Sequence, residues 1–156
     1  MKQVLFSGML LLWLSACQQE PAKPLPDLPV LPSFEKTYVD THNGYSEAVV
    51  ITSGNLKTIY VSGQIGEGAD LETQMRDALS KMERLLKGSG ANMKDVVKMN
   101  TYIVDYGPTS LDVFRSVRKE LLGDSEMPAS TLVGVEALAL PEWLIEIEAV
   151  AVIEIR

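Results

Sequence analysis

The chain has 156 residues, 46% of them hydrophobic and 22% charged, which is enough for one packed core and implies no second domain. Its formal charge is −7 at pH 7 and no basic stripe with interleaved aromatics occurs in it, which argues against a nucleic-acid partner. One histidine and one cysteine are too few for a metal centre or an internal disulfide, so neither a metal nor a cofactor is expected.

Met1-Lys2-Gln3 is a short basic start, and the apolar run from Val4 to Leu14 that follows is too short to span a bilayer as a helix. Residues 1–16 read as an export signal. Leu14-Ser15-Ala16-Cys17 resembles the bacterial lipoprotein box, which implies that Cys17 is lipidated and becomes the first residue of the mature chain, held to a membrane by several acyl chains. A plain secretory signal cut near Ala16 would instead leave Cys17 a free thiol. Gln18 resembles the outer-membrane sorting pattern, so the expected location is the bacterial cell envelope, at the outer membrane and facing the periplasm. Residues 17–33 hold the cysteine and five of the eight prolines, and read as a tether with a reach of roughly 50 Å. Folded structure is expected over 34–156.

A first strand is expected from Glu35 to Asp40, followed by the turn-rich Thr41-His42-Asn43-Gly44. Ala48 to Thr52 and Thr58 to Ile65 form a hairpin about Ser53-Gly54-Asn55. From Asp70 to Lys87, Leu71, Met75, Ala78, Leu79, Met82, Leu85 and Leu86 recur at spacings of three and four, which predicts a long amphipathic helix closed by Gly88-Ser89-Gly90. A strand runs to Val104. A second helix is expected from Thr109 or Ser110 to Leu122, with Val113, Phe114, Val117 and Leu121 inward and Arg115, Arg118 and Lys119 outside. A short strand near Ala129–Val135 and a long final one from Leu144 complete an α+β layer with both helices on one face. In the last strand Ile145, Ile147, Ala149 and Ala151 point one way, while Glu146, Glu148, Val150 and Val152 point the other, where a subunit interface would bury the valines.

Six blocks resemble the RidA (YjgF) family of imine and enamine deaminases: Gly44–Val49, Val61–Gly66, Gln74–Leu79, Gly90–Lys98, Met127–Val135 and Leu144–Val152. The resemblance covers about residues 37–155. It implies the RidA/chorismate-mutase-like fold, a mixed six-stranded sheet with two helices, assembled as a homotrimer with small-molecule clefts between neighbouring subunits. Family deaminases act on small 2-imino acids derived from enamines that pyridoxal-phosphate enzymes release. Two departures stand out. Asn43-Gly44 replaces the usual Gly-Pro and is expected to loosen that loop. Ser130 replaces the Arg that follows Pro-Ala and binds the substrate carboxylate as a bidentate pair.

Glu146 maps to the family glutamate implicated in moving a proton for C=N hydrolysis. It shares a strand face with Glu148, about 7 Å away by strand rise. Read without the family, the two acids could simply line a solvated oligomer interior. Tyr45 and Ser62 map to cleft positions, and from the residues alone they are a loop aromatic and a strand residue on the side of Tyr60 and Gln64. Ser130 and Thr131 are candidate hydrogen-bond donors to a ligand, and Arg115 is a candidate source of the missing cation. His42 reads as a polar loop residue. Gly63 to Gly68 lacks the Lys-Ser/Thr ending of a phosphate loop. Two functions follow: an envelope-anchored hydrolase of imine- or enamine-like compounds, or a non-catalytic trimer that binds a ligand or partner on the same scaffold.

Overall fold

The computed structural model describes residues 33–124 and 126–155. The expected export signal at 1–16, Cys17 and the proline-rich stretch up to Pro32 lie outside them. Six strands and two long helices follow in order: β1 (Phe34–His42), β2 (Tyr45–Ser53), β3 (Leu56–Ile65), α1 (Leu71–Gly88), β4 (Val96–Val104), α2 (Pro108–Leu122), β5 (Ala129–Val135) and β6 (Ile145–Glu154). The sheet order is β1-β2-β3-β6-β4-β5. All neighbours are antiparallel except β4 and β5, which are joined through α2 and lie parallel. No helix among the described residues is long and apolar enough to cross a membrane.

Local chemistry sets the element ends. The Asp70 carboxylate accepts from the backbone N–H of Thr73 at the start of α1, and Pro108 opens α2 where no amide donor is needed. Asn43 and Gly44 have φ of 47° and 90° and form the whole connection between paired His42 and Tyr45. That is the two-residue geometry Asn-Gly favours in hairpins, so the departure from Gly-Pro tightens this loop rather than loosening it. It also extends β2 back to Tyr45, which is a strand residue and not a loop one.

Period-two burial follows the sheet. Ala48, Val50, Ile59, Val61, Met99, Thr101, Ile103, Ile145, Ile147, Ala149 and Ala151 are buried beneath the helices, which contribute Met75, Leu79, Met82, Leu86, Phe114 and Val117. Among the described residues no layer covers the opposite face, which leaves Tyr60 46% and Val133 40% exposed. Two irregularities break the alternation, one in β4 between Val96 and Lys98 and one in β3 that shapes the site. Val61 pairs with Ala149 but Gln64 with Ile147, so β3 spends three steps where β6 spends two. Gln64 is thereby turned in with Val61 and buried, whereas Tyr60 is exposed; Gln64 and Tyr60 do not share a face as simple alternation predicted.

Buried Gln74 on α1 fastens the helix layer to the segment before β6. Its amide nitrogen donates to the carbonyls of Gly68 (3.1 Å) and Glu142 (2.9 Å), and its amide oxygen accepts from the Leu144 N–H (2.8 Å). Gln74→Ala would leave three backbone groups without partners, and is expected to cost about 3 kcal/mol of unfolding free energy in urea titration.

Candidate functional site

Glu146 and Glu148 project from the uncovered side of β6, opposite Tyr102 and Asn100 of β4. Their surroundings differ. Glu148 is fixed by Asn100, whose Nδ2 donates to its Oε1 at 2.6 Å, and by the Tyr102 hydroxyl at 3.4 Å. The Tyr102 phenol is pushed above its ordinary pKa, first by the Glu148 charge and then by burial. Glu146 has no hydrogen-bond donor among the described residues. Its half-buried carboxyl is pushed above the usual carboxylate value by burial and, secondarily, by the Glu148 charge. One acid is pinned and the other is free to exchange a proton, which is how a pair of carboxylates divides a structural from a chemical role.

The bulge in β3 makes room for that free carboxylate. A Cβ on Gly63 would land on the Glu146 side chain, so glycine is needed there for the close approach. Beside it, the Ser62 hydroxyl donates to the Ser46 carbonyl at 2.6 Å and ties β3 to β2. A cleft of about 540 Å³ opens on the other side of the bulge, lined by Tyr45, Glu47, Gly63, Gln64, Lys81 and Arg84 among others. In it the Tyr45 hydroxyl donates to Glu47 at 3.2 Å, and the ring meets His42 edge-on at 4.8 Å. Glu47 also accepts from Gln64 and pairs with His42 at 2.7 Å. Burial pushes the Glu47 carboxyl up, but hydrogen bonds from Gln64, His42 and Tyr45 outweigh it and hold the group below its ordinary value. The hairpin turn delivers His42 to this cluster. In the sequence His42 reads as a polar loop residue and Glu47 draws no notice, but His42 ends β1 and their meeting depends on the His42↔Tyr45 register.

Ser130 and Thr131 lie apart from these groups. They sit on edge strand β5 beyond β4, opposite Met99 and Asn100, so Ser130 falls on the helix side and Thr131 on the uncovered side. From Glu146 they are two strands across, roughly 10 Å, and two to three residues along. Thr131 Oγ1 accepts from Lys98 at 2.8 Å. Ser130 Oγ accepts from Arg118 Nη1 at 3.0 Å, and Arg118 Nη2 donates to the Pro128 carbonyl at 3.4 Å. Arg118 is thus half-buried against β5 rather than outside. Arg115 is exposed on α2, and the guanidinium that reaches Ser130 comes from one turn further along. The signal that could have found it is Phe114, four residues before Arg118 on the same helix face, whose ring lies 5.5 Å beneath the guanidinium.

The model of the family described as Endoribonuclease L-PSP matches residues 35–153. The chain belongs to the RidA (YjgF) family. A 2-iminobutanoate/2-iminopropanoate deaminase of Dermatophagoides farinae is 35% identical over 118 residues, covering 70% of this chain and 86% of that protein. The human protein of the same name is 31% identical over 119 residues, covering 69% and 79%. Among solved structures, a YjgF/YER057c/UK114-family protein of Mycobacterium tuberculosis superposes with a TM-score of 0.66 at 34% identity, covering 76% of this chain and all of that one. A YjgF-family protein of Neisseria meningitidis gives 0.65 at 27% identity, covering 78% and 96%.

On this RidA fold, Tyr45, Ser62 and Glu146 occupy three adjacent strands, while Ser130, Thr131 and Arg118 occupy the far edge. Because folding raises the Glu146 pKa, the folded state holds that proton more tightly than the unfolded chain does. Stability is therefore lost as pH rises from the ordinary carboxylate pKa through the raised one. Glu146→Gln is expected to raise the melting temperature at pH 7, with the gain vanishing below pH 4; melting curves across that range check it. Gly63→Ala is expected to leave the fold intact and displace the Glu146 carboxylate. The pH dependence of stability in Gly63→Ala should then flatten toward that of Glu146→Gln.

Proposed function

We propose that this RidA-family protein hydrolyses the C=N bond of a small imine or enamine tautomer, in a cleft completed by a neighbouring copy of the chain. Glu146 carries the reading: a partly desolvated carboxylate without a hydrogen-bond donor among the described residues, held over a glycine, is suited to take a proton from water as the oxygen attacks the imine carbon. The amine then leaves as ammonia and the carbon becomes a carbonyl. Tyr45 would pack on the ligand with its hydroxyl held by Glu47, and Ser62, Ser130 and Thr131 would supply hydrogen bonds. The relatives named as 2-iminobutanoate/2-iminopropanoate deaminases support this substrate class. The formal charge of −7 disfavours a polyanionic substrate such as RNA.

Two features support completion by a second subunit. Within one chain Glu146 and Ser130 lie on different sides of the sheet, two strands apart. The uncovered face, with Tyr60 and Val133 exposed, needs a partner layer, and a homotrimer with its sheets packed inward would supply one. The alternative is a ligand- or partner-binding trimer without turnover, favoured by Ser130 standing where the resembling family carries Arg. We further place the protein at the cell envelope, facing the periplasm, anchored through lipidated Cys17 at the end of a proline-rich tether.

The test is ammonia release from freshly generated 2-iminopropanoate and 2-iminobutanoate. Native chain is expected to accelerate it, and Glu146→Gln to reduce the rate by about 10²- to 10⁴-fold. A folded native chain that releases no ammonia above background would leave the non-catalytic reading. For the anchor, Cys17→Ser in a bacterial host is expected to abolish fatty-acid labelling and move the protein from the membrane to the soluble fraction; unchanged partition would overturn it.

A further inference from the structure

Most charged side chains of the helix layer are matched. Arg76 makes paired bonds to Glu72 and Glu120, Lys81 meets Asp77, Lys87 meets Glu83, and Lys119 meets Asp124. Arg84 and Arg115 on the helices form no ion pair among the described residues, but Arg118 of α2 and Lys98 of β4 are set apart because they flank the same dipeptide. Arg118 reaches β5 from the helix side and Lys98 from the uncovered side, each bonded to one hydroxyl of Ser130-Thr131. Neither has a carboxylate within ion-pair distance among the described residues.

Arg118 is the more constrained of the two. Its Nε is buried without a hydrogen-bond partner, and its terminal nitrogens meet only a hydroxyl and a carbonyl. Burial draws the guanidinium pKa below its usual value, and nothing nearby offsets that. A half-buried guanidinium held by neutral acceptors keeps most of its desolvation cost uncompensated, so a bound anion would be its natural counter-charge. The donors have capacity for one. Each terminal nitrogen carries two N–H groups and has used one, and the Ser130 hydroxyl, while accepting from Arg118, still has its own proton to donate. Phe114 beneath the ring plane fixes the direction of the fork.

We propose that Arg118, with the Ser130 hydroxyl, forms an anion seat that takes the carboxylate of a small 2-oxo or 2-imino acid. This rests on the reading that Ser130 belongs to the substrate cleft. Arg118 is then a specificity-determining residue: it selects the ligand's charged end and takes no part in moving the proton. The cation that the strand lacks at Ser130 is supplied by α2, arriving sideways through the serine hydroxyl. Lys98 adds long-range attraction from the other face of the strand. The planar fork suits a carboxylate better than a tetrahedral oxyanion.

Calorimetric titration of the full-length chain tests this with 2-oxobutanoate, a stable carbonyl analogue of the imine. Inorganic phosphate and the uncharged 2-oxobutanamide serve as comparison ligands. Native protein is expected to bind the oxo acid well ahead of both. Arg118→Gln should weaken oxo-acid binding roughly ten- to hundredfold, while Lys119→Gln, which removes a neighbouring charge from the same helix, should not. Arg118→Gln combined with Ser130→Arg should recover binding, since the guanidinium returns from the strand. The double variant also decides the matter if Arg118→Gln alone melts early. Native-like affinity in folded Arg118→Gln, phosphate binding equal to that of the oxo acid, or a folded double variant that stays weak would each overturn the seat. Ammonia release without Arg118-dependent binding would overturn this inference and leave hydrolysis standing. Arg118-dependent binding in a chain that releases no ammonia would do the reverse.

Discussion

Burial of one side of β6 is the constraint to which the other elements answer. Ile145, Ile147, Ala149 and Ala151 need a cover, and the stripes of α1 and α2 provide it. Strict alternation then sends Glu146 and Glu148 to the opposite side, where two carboxylates face a layer with no helices. Neither acid could move one position along the strand without entering the core. The chemistry proposed for Glu146 is therefore placed by the same two-residue period that builds the sheet, and Gln74, by anchoring the segment before β6, holds that period in register with the helices.

The extra residue in β3 converts this arrangement from a regular sheet face into a site. It sets Gly63 under Glu146, turns Gln64 inward to hold Glu47, and leaves Ser62 bridging to β2. Tyr45 depends on the same neighbourhood, because Glu47 receives its hydroxyl. A local irregularity of one residue thus links the proton-exchanging acid on one face with the aromatic cleft at the other. The anion seat belongs to a different edge, built where a helix lays an arginine across an exposed strand.

Period-two and helical patterns make the two helices and the buried strands β2, β3, β4 and β6 legible in the sequence, whereas β1 and β5, mostly exposed, carry no such burial signal. Features that depend on register were not legible. Alternation placed Gln64 with Tyr60, and only the pairing with β6 reveals the bulge that separates them. Asn43-Gly44 read as a loosened loop when measured against Gly-Pro, although its own turn chemistry favours a tight hairpin. Arg118 follows buried Val117, and a long side chain at such a boundary can turn either outward or across the neighbouring strand. The helical pattern gave the residue's position on α2 and not the direction of its last four bonds.

The central position of β6 has a consequence for how the molecule is assembled in time. It is the last of the described strands, yet it lies between β3 and β4 and, among the described residues, is what links the β1–β3 hairpins to the β4-α2-β5 unit within the sheet. Until residues 145–154 are available, those two halves have no shared hydrogen-bond ladder, and the partial core beneath them stays open on one side. Completing the six-stranded sheet therefore waits on long-range pairing by residues 145–154. Before then the β1–β3 hairpins can pair among themselves, but the sheet that carries Glu146 does not exist.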